Sequence, residues 1–140
     1  MHQSTIIYPL IGMVFLSFIV GMKMLASRIR AVKKEGMNPA FFALNRGAKQ
    51  PDYLVRVSQH YENLFELPVL FYVVSLLIFM TSNTDQIYLV LAVLFVVIRY
   101  IHAVIHITYN NLIHRRNAFL MGALVLFIIW LRFSLQLIAS

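Results

Sequence analysis

The chain has 140 residues, of which 61% are hydrophobic, and its mean hydropathy is +0.78. This composition excludes an ordinary soluble domain and indicates a small integral membrane protein. Twelve Lys and Arg residues against five Asp and Glu give a formal charge of +7, which in a membrane protein sets topology rather than indicating a nucleic-acid partner. The absence of cysteine from the sequence excludes disulfides, thiolate metal sites and a cysteine nucleophile, so any thiol chemistry must come from a ligand.

Apolar segments predict one transmembrane domain over residues 1–140, built as an all-α four-helix bundle. The first segment also resembles a signal peptide, but no positive charge precedes it and no small-x-small cleavage site follows it, so a spanning helix is favoured. Gly and Pro residues punctuate the connector 27–55, which predicts a loop with at most short helical pieces. The predicted spans are 6–26, 57–80, 87–109 and 116–139.

The charges of the connections predict the topology. The connections at 27–55 and 110–117 are basic, whereas 81–86 contains no Lys or Arg. Because basic loops stay in the cytoplasm, both of these should be cytoplasmic and both termini should lie outside, in the inner membrane of a bacterium.

Polar residues share one face at the start of the second span. At about 100° per residue, Arg56, Gln59, Glu62, Asn63 and Glu66 fall within an arc of roughly 120°. Ionisable groups are costly in lipid, so this face should meet the protein interior or a wet cavity. The alternative is a polar helix–helix contact that only holds the bundle together.

The third span carries a matching polar face. Arg99, His102, His106 and Asn110 are spaced by three and four residues and therefore lie on one side of a helix. At about 1.5 Å per residue, Arg99 and Glu66 both lie roughly 15 Å below the cytoplasmic edge. This predicts a structural ion pair between them, with a polar pocket open to the cytoplasm.

Two further features bear on chemistry. Pro68 should bend the second span beside Glu66, because it removes the hydrogen bond to the Leu64 carbonyl. His102-x3-His106 has the spacing of a two-histidine metal site, with Glu62 or Glu66 as a possible third ligand, but without a further His or Cys at suitable spacing no metal site is assigned.

The start of the fourth span suits an anion. Arg115 and Arg116 add their charges to the positive end of the helix dipole, and both effects favour a small anion or a thiolate.

As a set, these motifs resemble the membrane-associated proteins in eicosanoid and glutathione metabolism (MAPEG). The resemblance rests on Asn63-x2-Glu66 followed by Pro68, on Arg99-x2-His102-x3-His106, and on arginine at the start of the fourth span. It covers nearly the whole chain, and the segments NLFELPVLFY, RYIHAVIHITYN and HRRNAF are most similar to bacterial members without an assigned reaction. The resemblance implies a homotrimer that binds glutathione between neighbouring subunits near the cytoplasmic side.

The resemblance also implies residue roles. Asn63 and Glu66 match the ligand-binding pair of the second helix, and either Arg115 or Arg116 matches the arginine that holds the thiolate. Arg30 is the match for the first-helix arginine that meets a carboxylate of the tripeptide. The full set of predicted site residues is Arg30, Arg56, Gln59, Asn63, Glu66, His102, His106, Arg115 and Arg116.

Two departures from the family pattern affect the expected function. Gln59 stands where the well-studied enzymes carry an arginine, and His106 stands where they carry a tyrosine; the first change removes a charge that would face an anionic ligand. The implied activity is that of a glutathione transferase or peroxidase acting on lipophilic substrates. The alternative is a non-catalytic protein that binds a lipid headgroup or another anion in the same pocket.

Overall fold

The computed structural model describes residues 2–44, 46–47 and 49–139, and this part of the chain consists of helices joined by turns and loops, without strands. After a 3-10 turn at Gln3–Ile6, the helices are α1 (Ile7–Glu35), α2 (Phe41–Leu44), α3 (Asp52–Asn63), α4 (Leu67–Met80), α5 (Gln86–Ile107) and α6 (Leu112–Ala139). The segments long and apolar enough to span a membrane are Gln3–Glu35, Asp52–Met80, Gln86–Ile107 and Leu112–Ala139. The prediction of an all-α membrane protein with four spans is confirmed.

The first helix continues well past the predicted span. The prediction of a loop from residue 27 is wrong for 27–35, because this stretch contains no Gly or Pro and consists largely of good helix formers. The helix ends at Gly36, whose φ of 68° is left-handed and whose amide donates to the Ala31 carbonyl. Arg30 therefore lies near the end of α1, next to the fully buried Ala31, and not in a loop.

The second span is two helices rather than one bent helix. α3 ends at Asn63 and α4 begins at Leu67, with Glu66 at φ −98° and ψ −103° between them. Pro68 offers no amide to the Leu64 carbonyl, and it lies in the first turn of α4, where a helix tolerates proline because its first amides have no partner within the helix. The chain therefore breaks before Pro68 instead of bending at it. As a result α3 packs on α1 and α5, while α4 packs on α1 and α6.

α5 is the central helix of the bundle. It packs against α1, α3 and α6, and its Phe95 ring stacks on Phe71 of α4 with centroids 4.6 Å apart. Its Tyr100 hydroxyl donates to the Gly12 carbonyl at 2.9 Å. On α6, a Cβ atom at Gly122 would make ordinary contact with Ile98 and with Arg99 Cδ, at 3.5 and 3.7 Å, so α6 packs directly against α5 at the level of Arg99.

The end of the bundle that carries the 81–86 connection is tied together by polar contacts. Thr84 donates from its amide to Gln3 Oε1 and from its hydroxyl to the Gln3 carbonyl, both at 3.1 Å. Asp85 caps α5 by accepting from the Tyr88 amide at 2.9 Å. Arg132 of α6 forms a two-pronged ion pair with the same carboxylate and lies 4.1 Å from the centroid of the Tyr88 ring.

We expect Asp85 to contribute to stability in two separable ways. Asp85→Asn keeps the helix cap and loses the ion pair, which should cost about 0.2–1 kcal/mol. Asp85→Ala also loses the cap and should cost about 1 kcal/mol more. Thermal unfolding of the purified protein in detergent measures both, and equal costs for the two variants would contradict the assignment of the cap.

The same contact predicts a pH dependence. Hydrogen bonds from Arg132 lower the pKa of the Asp85 carboxyl from its ordinary value of 3.8. A carboxyl whose pKa is lowered in the fold stabilises the folded state above its ordinary pKa and loses that contribution as the pH falls through the lowered value. The stability difference between the native protein and Asp85→Asn should therefore be present at neutral pH and vanish in strong acid.

Candidate functional site

Arg99 is the buried charge around which the site is built, and its partner is not the predicted one. The side chain is fully buried and donates from Nη2 to the main-chain carbonyl of Asn63 at 3.0 Å. The predicted ion pair with Glu66 is not formed: the ion pair found among the described residues is that of Arg132 with Asp85, and Glu66 is exposed. The second span breaks directly after Asn63, and Arg99 donates to the carbonyl of this last residue of α3 instead of to the Glu66 carboxylate.

A cavity of about 400 Å³ lies between the end of α3, α5 and the start of α6. Its volume is within the range of about 300–1,000 Å³ that is typical of small-molecule sites. Its lining contains both polar and apolar side chains, so the cavity can take a ligand with both characters. Its lining residues are Asn63, His102, Leu112, Ile113, Arg115, Arg116 and Phe119.

Arg115 is held in place at the edge of this cavity. Its Nη1 donates to Asn110 Oδ1 at 3.1 Å and lies 3.5 Å from His106 Nε2. Arg116, one residue later, is exposed and contacts only the amide oxygen of the neighbouring Asn117, at 3.4 Å, among the described side chains. The two arginines that the sequence left as alternatives are therefore in different environments.

The fourth helix begins one turn earlier than predicted. It starts at Leu112, where Asn111 Oδ1 accepts from the amides of Ile113 and His114 at 3.0 and 3.1 Å. Asparagine is among the best N-cap residues, which explains why the helix starts there. Arg115 consequently lies in the first turn, where the positive end of the helix dipole still acts.

The other predicted residues are distributed around the chain. Gln59 lines a separate cavity of about 450 Å³ together with Arg28, and Arg56 donates to the Thr108 carbonyl at 2.7 Å. Arg30 lies 4.8 Å from the centroid of the Tyr53 ring. Within one chain the structure thus brings Asn63, His102, Arg115 and Arg116 together, with His106 behind Arg115, but leaves Arg30, Arg56, Gln59 and Glu66 outside the cavity.

Sequence reasoning missed the apolar lining residues Leu112, Ile113 and Phe119, and it missed His60 behind the cavity. Phe119 lies one helical turn after Arg115 and Arg116, so the 3.6-residue period could have placed it on the same face. His60 is fully buried, with its ring centroid 5.2 Å from those of both His102 and His106. Its depth matches that of His106, but the sequence does not reveal that its side chain points into the bundle.

We compared the chain with curated proteins, with solved structures and with models of protein families. A search of the curated proteins found no match to the chain, and a search of the solved structures found none either. The model of the MAPEG family matches residues 6–135, which include most of the first and fourth spans, the whole of the second and third, and every residue of the cavity. The chain therefore belongs to the MAPEG family.

Proposed function

We propose that this protein binds glutathione or a similar thiol and acts as a glutathione transferase or peroxidase on lipophilic substrates. The observation that carries the proposal is the single cavity lined by Asn63, His102, Arg115 and Arg116. Family membership supports it, since the family includes glutathione-dependent enzymes. The polar groups provide donors and positive charge for an anionic peptide, and His102 contributes a buried Nδ1 without a hydrogen-bond partner in the described chain.

Arg115 is the residue we assign to the thiolate. Its guanidinium is half-buried and fixed by Asn110 and His106, so less conformational freedom is lost when it contacts a ligand. Its charge and the dipole of α6 act in the same direction and favour an ionised sulfur. Arg116 is better placed to meet a carboxylate at the rim, because its side chain is exposed.

The apolar lining residues of the cavity suit the lipophilic second substrate. Leu112, Ile113 and Phe119 line it, and Leu112 and Ile113 are exposed on the surface of the single chain. A lipophilic electrophile or hydroperoxide could therefore reach the sulfur from the lipid. Bound glutathione would supply a nucleophilic and reducing sulfur, and the protein would orient it and keep it ionised.

We further propose that three copies of the chain complete the site. Glu66 is the fifteenth of the 29 residues in the second span and is exposed in the single chain, although a charge at this depth requires protein or water around it. A neighbouring subunit would cover Glu66 and the broken backbone beside it. The same neighbour could bring in Arg30, Arg56 and Gln59, which lie outside the cavity of their own chain.

The proposed location is a bacterial inner membrane, with lipid around the trimer, both termini outside and the basic connections in the cytoplasm. The described residues between α1 and α3 include the exposed cations Arg46 and Lys49, which a cytoplasmic position would accommodate. The cavity then opens toward the compartment that holds glutathione.

A non-catalytic function is the second candidate. Gln59 replaces an arginine of the family pattern and lies in a different cavity from Arg115, so one cation is missing from the expected set. In this alternative, the cavity holds a lipid headgroup or another anion and no chemistry follows.

The topology can be tested with single cysteines, because the sequence contains none. Ser4→Cys, near the N-terminus, should be labelled by an impermeant maleimide added to intact cells, and Ala43→Cys, in α2, should not. Both positions are exposed, so accessibility alone does not separate them. Labelling of Ala43→Cys from outside would refute the proposed orientation.

Native mass spectrometry in a mild detergent should show a trimer. Glu66→Lys should weaken the trimer, because it reverses a charge that we place in the interface. Asp52→Lys is the matched control: it makes the same change in the same span, at an exposed position where water and headgroups solvate it. A monomer or dimer as the main native species would rule out the threefold assembly.

Glutathione binding with thiolate formation is the central test of the function. The thiolate absorbance in the ultraviolet difference spectrum should appear with the native protein and with Arg116→Ala, and should be lost with Arg115→Ala. Loss of one charged hydrogen bond, about 1.5–3 kcal/mol, should also weaken binding roughly 10- to 150-fold in calorimetry. Equal effects of the two alanine variants would contradict the assignment of the thiolate to Arg115.

Gln59→Arg separates the two candidate functions. If the missing arginine limits glutathione affinity, this variant should bind more tightly, because a carboxylate of the ligand regains a charged donor. If the native protein does not bind glutathione at millimolar concentration and Gln59→Arg does not bind it either, the non-catalytic function is favoured.

A further inference from the structure

Three histidines form a closed triangle inside the bundle. The ring centroids of His60 and His102 and of His60 and His106 are each 5.2 Å apart, and those of His102 and His106 are 5.7 Å apart. All three side chains are at most 1% exposed. We call these residues the histidine triangle; it joins α3 to α5 on the cytoplasmic side of Arg99.

The fold gives the histidine triangle few hydrogen bonds. Both nitrogens of His60 and the Nδ1 atoms of His102 and His106 are buried without a partner in the described chain. Buried polar groups are normally hydrogen-bonded, and each one left without a partner costs about 1–3 kcal/mol. Apolar side chains would fill the same space without this cost, so packing alone does not account for three imidazoles here.

The surroundings of the triangle are positively charged. The charged side chains of the described chain that act on the three rings are Arg99 and Arg115, and Arg115 Nη1 lies 3.5 Å from His106 Nε2. Two guanidinium groups oppose a metal cation, and the described residues contain no group of His, Cys, Asp or Glu side chains that could hold one. A proton is a ligand that imidazole binds in the physiological pH range and that needs no cavity volume.

The triangle borders the proposed ligand cavity from behind. His102 belongs to both, because it lines the cavity and contacts the other two rings. His106 approaches Arg115, which lines the same cavity. A thiol that ionises beside Arg115 must transfer its proton to some acceptor, and His102 is the imidazole on that wall.

We propose that the histidine triangle takes up and holds the proton that a thiol ligand loses when it ionises beside Arg115. This inference rests on the proposed function. The S–H bond breaks with its electron pair remaining on sulfur, and an N–H bond forms on the His102 imidazole, so the region gains one negative and one positive charge and its net charge is unchanged. The new negative charge near Arg115 offsets the repulsion that the two guanidinium groups exert on an imidazolium.

His60 is a positioning residue in this scheme. It does not line the cavity, but it is equidistant from His102 and His106 and has both ring nitrogens free of partners in the described chain. A neutral imidazole can accept a hydrogen bond from a neighbouring imidazolium. His60 would thereby keep the proton in the triangle instead of releasing it to solvent.

The test counts protons with glutathione as the probe. Titration calorimetry of the assembled protein at one pH, in buffers of different ionisation enthalpy, gives the protons exchanged with the buffer, and the ultraviolet difference spectrum gives the thiolate formed. For the native protein we expect fewer than about half a proton released per thiolate. For His60→Phe, release should rise toward one proton per thiolate.

His114→Gln is the matched control, because His114 is exposed and contacts Tyr109 outside the triangle; its proton count should equal that of the native protein. Should His60→Phe fail to fold, nitrogen NMR of the native protein's histidines decides, since glutathione should convert one buried imidazole to imidazolium. A full proton released by the native protein, or an unchanged count in His60→Phe, overturns the proposal while leaving the proposed function intact. If no thiolate forms at all, the proposed function fails and this inference with it.

Discussion

The hydrogen bond from Arg99 to the main chain of Asn63 is the contact on which the half of the bundle that holds the cavity depends. A helix that ends within a membrane leaves carbonyl groups that lipid cannot satisfy. Arg99 provides a donor for one of them from the neighbouring helix, and its side chain packs beside Gly122 of α6. The break at Pro68 and the buried arginine therefore explain each other, because either one alone would be costly in this environment.

This contact also sets the geometry of the cavity. α3 ends at Asn63, and the Asn63 side chain lines the cavity together with His102 and the first turn of α6. After the break, α4 packs against α1 and α6. At the opposite end, Asp85, Arg132 and the Gln3–Thr84 contacts join the spans around the 81–86 connection. Polar contacts thus join the helices at both ends of the bundle, and the candidate site lies at the end opposite the 81–86 connection.

The sequence predicts the architecture better than it predicts the contacts. Long apolar segments and the spacing of Arg99, His102 and His106 are one-dimensional patterns. The first correctly predict four helices able to span a membrane, and the second places these three residues on one face of α5, from which His102 lines the cavity. The partner of Arg99 could not be predicted, because a depth calculation assumes an unbroken helix and matches side chains only. Pro68 predicts a distortion of the second span. Whether proline bends or breaks a helix depends on which neighbouring donors bind the carbonyl groups that lose their partners within the helix.

Helix ends and buried rings show the same limit. Asn111 is a recognisable cap for a helix that begins at Leu112. Apolar periodicity alone instead predicts that this helix begins at residue 116. Arg115 and Arg116 are adjacent in the sequence but differ in their partners, because the fold brings Asn110 and His106 into contact with Arg115. The burial of His60 could be recognised only in the tertiary structure, because a histidine on a half-polar helix is equally compatible with a surface position.

Asn63 shows how this fold separates structure from specificity. Its carbonyl anchors Arg99, whereas its side chain lines the cavity. Every amino acid offers that carbonyl, so the anchor is independent of which side chain occupies the position. An evolving lineage, or a protein engineer, can therefore alter the lining of the cavity here and change what it accepts without giving up the contact that holds the broken helix in place.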